Sequence, residues 1–148
     1  MKVLDQLLNY TNSQSKYVRF SSLGDNDIRI TKRLKENYQD DFIVSLQIED
    51  REPGMNQGDY YYFGLEKIVI HHQRIGEVYT KDNGAIDMKL DQTEHVIKYQ
   101  EIQAVEILSN KKFSLIIRLN DERTIDGIGI NCREDFENVL SYFDRLME

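Results

Sequence analysis

The chain contains no tryptophan, and of its 148 residues only Cys132 is a cysteine and only Pro53 a proline. One cysteine excludes an internal disulfide, so the fold must be held by its core, and the expected compartment is the reducing cytoplasm. With eight glycines and one proline, no long linker or low-complexity segment is indicated. Long apolar runs are missing too. Nothing approaches the roughly 18 residues of a membrane span, and Met1–Tyr10 carries Asp5 among short apolar pairs, unlike a secretory leader. A basic excess is also lacking. The net charge of −7 argues against non-specific nucleic-acid binding. Residues 1–74 hold 10 basic and 11 acidic side chains and residues 75–148 hold 9 and 15, so the acidity belongs to the second half. Catalytic signatures are absent as well: no Gly-x-Ser-x-Gly, no His-Glu-x-x-His, no phosphate loop and no dinucleotide fingerprint. No enzyme activity, cofactor or metal is therefore expected.

What the chain does have is alternation. Phe113, Leu115, Ile117 and Leu119 are apolar at every second position, which places one strand face on a core. The turn Asn120–Arg123 leads into Thr124–Ile130, where Gly127 and Gly129 predict a bulge or a close backbone approach. Asn131 and Glu134 have the spacing of a helix cap and its N3 partner. Phe136, Val139, Leu140, Phe143, Leu146 and Met147 then form one helical stripe. Burying these six side chains is worth roughly 9–18 kcal/mol gross, so the helix is expected to close over a sheet.

Upstream, Phe42–Ile48, Tyr60–Phe63, Glu66–His72, Glu77–Thr80, Ile86–Leu90, Val96–Tyr99 and Ile102–Leu108 read as strands. Pro53-Gly54 and Asp82-Asn83-Gly84 serve as turns. Val3, Leu4, Leu7 and Leu8 predict a short helix ending near Asn12, and Tyr17–Phe20 a brief extended piece. Residues 25–38 stay between two readings. Asp25 or Asp27 would cap a helix in which Ile30, Leu34 and Tyr38 share a face, while Ile28 and Ile30 also suit a strand. The expected fold is mainly β with some helix (α+β), in one domain. Residues 1–40 form a helical N-terminal elaboration, and residues 42–147 a small antiparallel barrel or sandwich capped by the C-terminal amphipathic helix.

The order Phe63–Ile70, Lys98–Val105, Phe113–Leu119, Thr124–Ile130 and final helix resembles the bacterial pleckstrin-homology-like (PH-like), GRAM-related domains over about residues 42–147. That resemblance implies two nearly orthogonal antiparallel sheets with an open corner plugged by the last helix, and a role in binding rather than catalysis. The chain departs from the family pattern twice. Phe136 or Phe143 must stand where many such domains place a tryptophan, and Glu49-Asp50-Arg51-Glu52 lacks the cations that phosphoinositide binders carry there.

Two surfaces are candidates for function. Lys16, Arg19, Arg29, Lys32, Arg33 and Lys35 fall within 20 residues whose only acids are Asp25 and Asp27. On a helix, Arg29, Lys32 and Arg33 share a face and would meet a lipid head group, a nucleotide or a phosphopeptide. The plainer reading is a solvated face offset by the acidic half of the chain. In Tyr60-Tyr61-Tyr62-Phe63, one alternating pair belongs to the core, and Tyr60 and Tyr62 are the candidates for a protein interface. His71, His72, His95 and Cys132 make up the inventory of soft ligands, but adjacent strand histidines point to opposite faces, and no metal site is expected. Asp82, Gly84 and Asp87 lack the spacing of a calcium loop. The expected function is thus a non-enzymatic binding or scaffold domain acting by protein–protein contact or self-association, through the tyrosine strand or an open sheet edge. The alternatives are an anion-recognising basic island over Lys16–Lys35 and an acidic decoy that inhibits a nucleic-acid-binding protein.

Overall fold

The computed structural model describes residues 3–4, 16–23, 28–50 and 57–148. Apart from Val3 and Leu4, the expected helix ending near Asn12 lies outside them, as do the caps Asp25 and Asp27 and the Pro53-Gly54 turn.

Among the described residues, eight strands build two antiparallel sheets. β1 (Val18–Ser22), β2 (Phe42–Asp50), β3 (Gln57–Gly64), β4 (Lys67–Thr80) and β5 (Ile86–Lys98) form a five-stranded meander in chain order. After a single 3₁₀ turn at Tyr99–Glu101, β6 (Ile102–Ser109), β7 (Phe113–Leu119) and β8 (Thr124–Ile130) form a three-stranded one. Helix α1 (Ile28–Tyr38) lies between β1 and β2 in sequence, and α2 (Glu134–Leu146) ends the chain. The expected barrel is not what forms. Both sheets are open, and β5 and β6 meet at a corner without pairing, because the 3₁₀ turn redirects the chain there.

Alternation explains the shared core. Phe20 on β1, Val44, Leu46 and Ile48 on β2, Tyr61 and Phe63 on β3, and Ile68 and Ile70 on β4 face inward. They meet Leu115, Ile117 and Leu119 of β7 and Ile125, Ile128 and Ile130 of β8. α2 closes the core with Phe136, Val139, Tyr142, Phe143 and Leu146, all at 1% exposure or less, worth about 8–15 kcal/mol gross. Tyr142 was absent from the predicted stripe, yet its ring packs 5.3 Å from Phe20 and 5.1 Å from Phe63, and its hydroxyl donates to the Leu4 carbonyl at 3.3 Å.

Three further expectations change. α2 starts at Glu134 with Arg133 in the cap position, and no side chain caps it, so Asn131 is not the cap. Glu134, Asp135 and Glu137 in the first turn supply the negative charge that a helix start favours. The expected segments 67–72 and 77–80 belong to the single strand β4, and 86–90 and 96–98 join in β5, while Tyr99 opens the 3₁₀ turn. A register shift between Ile75 and Val78 and the polar run Gln92–His95 had masked that continuity. Of the two readings open for residues 25–38, the helix is what forms over Ile28–Tyr38. Finally, the expected extended piece near Tyr17–Phe20 is the strand β1, whose Val18 and Phe20 alternate into the main core at the sheet edge, so the N-terminal part is not only helical.

α1 covers one end of the outer face of the larger sheet. Leu34 packs with Leu23, Phe42 and Val69, and Ile30, Tyr38 and Tyr62 flank them. Its C-terminal end is held by two contacts. Lys67 Nζ donates to the Tyr38 carbonyl at 2.7 Å, and the buried Asp40 carboxylate accepts the backbone N–H groups of Leu65, Glu66 and Lys67 at 3.2, 2.9 and 3.1 Å. Gly64 suits that site, since a Cβ would run into the Asp40 carboxylate and the Lys67 carbonyl. Among the described residues no helix is long and apolar enough to cross a membrane, which leaves strands out of consideration.

Candidate functional site

Because β3 alternates, Tyr61 and Phe63 enter the core and Tyr60 and Tyr62 stand on the outer face, half-buried. On β4, His71 and Gln73 share that face, and the register sets His71 opposite both Tyr60 and Glu94. α1 stands along the same face. Together they enclose an open cleft of about 600 Å³, walled by Arg33, Asn37 and Tyr38 of the helix and floored by Tyr60, Tyr62, His71, Gln73, Gln92, Thr93 and Glu94. Two candidates 27 positions apart, Arg33 and Tyr60, thus line one surface.

The cleft has a definite electrostatic layout. The Tyr38 phenol is pushed up to about 12, first by burial, then by its hydrogen bond to Glu94 and the charge of that carboxylate, with Arg33 pulling the other way. It therefore stays a neutral donor. The rings of Tyr60 and His71 lie 6.2 Å apart and tilted 52° to one another, which gives the floor an aromatic surface. Such a surface offers ring area, amide and imidazole hydrogen-bonding groups, one cation and one anion. It can hold a polar, partly aromatic or acidic group by contact.

The rest of the basic island is arranged differently. Lys32 and Lys35 face solvent and pair with Glu36 at 4.0 Å and Asp41 at 2.9 Å. Arg29 is exposed one turn before Arg33 and does not line the cleft.

On the inner face lies a second polar constellation that the strand pattern alone did not reveal. Asp59 is fully buried. Its Oδ1 lies 2.6 Å from His72 Nδ1 and 2.8 Å from Arg74, while its Oδ2 accepts the Ile128 N–H at 2.7 Å. That N–H is free because β8 carries one extra residue against β7, where Ser114 pairs with Gly129 but Ile116 pairs with Asp126. Gly127 serves as both bulge and close approach, since a Cβ there would lie 2.8 Å from the Leu115 carbonyl oxygen. Burial and the Asp59 charge push the neighbouring Tyr61 phenol well above its usual value. The available signal was Asp59 itself, an acid in the same alternating set as Tyr61 and Phe63.

His71 and His72 point to opposite faces, as adjacent strand residues must. His72 instead packs edge-on against His95, with ring centroids 5.2 Å apart. Among the described residues no group of three or more His, Cys, Asp or Glu side chains is arranged to hold a metal ion, and Cys132 is a half-buried free thiol. Asp82–Gly84 forms a hairpin turn with Gly84 at φ 84°, and Asp87 pairs with Lys81 at 3.0 Å. No protein-family model matches the chain, and neither a curated protein nor a solved structure shows similarity to it.

Proposed function

We propose that the protein is a non-enzymatic binding or scaffold domain of PH-like descent, working in the cytoplasm and using the cleft beneath α1 to grip a segment of a partner protein. The observation that carries this reading is the convergence of Arg33 with Tyr60 and Tyr62 on one open surface. Tyrosine and arginine dominate binding energy at interfaces because they bring large area and directed hydrogen bonds at low conformational cost. The PH-like kinship rests on the order of β6, β7, β8 and α2, with the helix closing a core between two antiparallel sheets. The buried His72 and Asp59 are tied to one another and to Arg74 behind the cleft floor, which favours binding over catalysis as the role of the face.

The test is affinity capture from cell extract with the wild-type chain and with Tyr60→Ser/Tyr62→Ser and Arg33→Glu, each checked for folding by circular dichroism. Loss of a captured protein in both variants is expected. A partner retained by both would remove the cleft from the interface.

A second reading, anion recognition by the island, draws on Arg29 and Arg33 standing one turn apart on the exposed side of α1. It requires capture that weakens steeply with salt and with Arg29→Glu. The acidic decoy rests on charge asymmetry alone and would require competition with DNA for a partner.

A further inference from the structure

At the far end of the larger sheet, β4 and β5 run on together from the Ile75–Leu90 pair to the Thr80–Ile86 pair and turn at Asp82–Gly84. β5 is the last strand of its sheet among the described residues, so within them one side of its backbone is unpaired over this stretch. The two faces of this arm differ sharply. Ile75, Val78, Ile86, Met88 and Leu90 share one face, and Ile86 and Val78 are 76% and 59% exposed. Tyr79, Asp87, Lys89 and Asp91 occupy the other. An open edge beside an exposed apolar stripe is a template for another strand.

We propose that this edge pairs antiparallel with the same edge of a second copy, about a two-fold axis through Met88. Three observations lead to that partner and that register. First, the Lys81 N–H donates to the Ala85 carbonyl at 2.7 Å, and ladder alternation from that pair turns the N–H and C=O of Ile86 and Met88 to the open side. The Met88 N–H is indeed taken by its neighbour Asp87 Oδ1 at 2.8 Å, a contact a second strand would replace. Second, pairing Met88 with Met88 of the second copy sets Ile86 against Leu90 and Leu90 against Ile86, so the whole apolar stripe is continued across the axis.

Third, the same register sets Asp87 against Lys89 and Lys89 against Asp87 on the other face, two opposite-charge cross-strand contacts from a single operation. Among the described residues Lys89 has no ion pair within its own chain. Centring the axis on Leu90 would also match Lys89 with Asp91, but it would set Met88 against Gln92 and Ile86 against Glu94. Charge and hydropathy agree only at Met88. The interface uses the arm and not the cleft, so it stands independently of the partner reading above.

Sedimentation of the full chain over a range of concentrations is the test. The wild type is expected to dimerise. Lys89→Asp should weaken the dimer by about tenfold, by turning both contacts into repulsions, and Asp87→Lys combined with Lys89→Asp should restore it. A Met88→Cys variant in a Cys132→Ser background should oxidise to a covalent dimer, since residues facing each other in such a pair have Cα atoms about 5.5 Å apart. The same background carrying Lys111→Cys should not. A chain that stays monomeric at every concentration overturns the proposal, as does a dimer that is indifferent to Lys89→Asp or is not captured at position 88. Capture by the cleft would be unaffected in either case, so the two readings fail separately.

Discussion

His95 shows how a single side chain reports the surface it sits on. Partial burial, then the neighbouring His72 and Arg123, hold its imidazole below the ordinary value of 6.5. A folded-state value below the unfolded one means that the unfolded chain takes up the proton first as pH falls. The His95 contribution is therefore fully present above about pH 6.5 and is lost as pH drops through the folded-state value. Urea midpoints measured at pH 7 and pH 5.5 should fall more for the wild type than for His95→Gln. Equal losses would place the acid sensitivity elsewhere. Gly127 is a second case at this scale: it allows the β8 backbone to approach Leu115 closely, and sequence alone marked it only as a bulge or an approach without separating the two.

At the level of elements, α2 carries the greatest share of aromatic packing. Tyr142 lies between Phe20 and Phe63 and near Phe143, so it joins β1, β3 and the helix in one cluster. Replacing it with alanine should cost about 3–5 kcal/mol, measured by urea denaturation, as for other large buried aromatics. Tyr142→Phe should cost far less, because the ring packing is kept while the hydroxyl bond to the Leu4 carbonyl is lost. A small loss for Tyr142→Ala would mean that the helix docks through Phe136 and Phe143 alone. Tyr142 escaped the sequence stripe because a tyrosine is as much at home half-exposed as buried. Only the position of β1 and β3 beneath it decides which.

For the molecule as a whole, Asp59 is a buried polar tie between the two sheets. It belongs to β3, collects His72 and Arg74 from β4, and accepts the bulge N–H of β8. Asp59→Ala leaves those donors facing an apolar core. Since the Arg74 side chain is 31% exposed and partly hydrated, the expected loss is at the low end of the range for a broken buried pair, about 3 kcal/mol by urea denaturation. Asp59→Asn, which keeps an acceptor for Ile128, should recover part of it. An unchanged midpoint in Asp59→Ala would show that the apolar core alone couples the sheets.

Alternation and helical spacing were enough to determine a β-rich chain with a C-terminal amphipathic helix, because a period of two or of 3.6 is a local property. The turn at Asp82–Gly84 and the strands Phe113–Leu119 and Thr124–Ile130 were legible for the same reason. Local pattern was silent wherever the outcome depended on what lay across space. It did not show that β4 and β5 run through a bulge as one long hairpin, that the sheets stay open, or that Asp59 reaches β8. Nor could it bring Arg33 beside Tyr60 and Tyr62: charge and aromaticity marked each residue separately, and only the packing of α1 on the outer sheet face made them one surface.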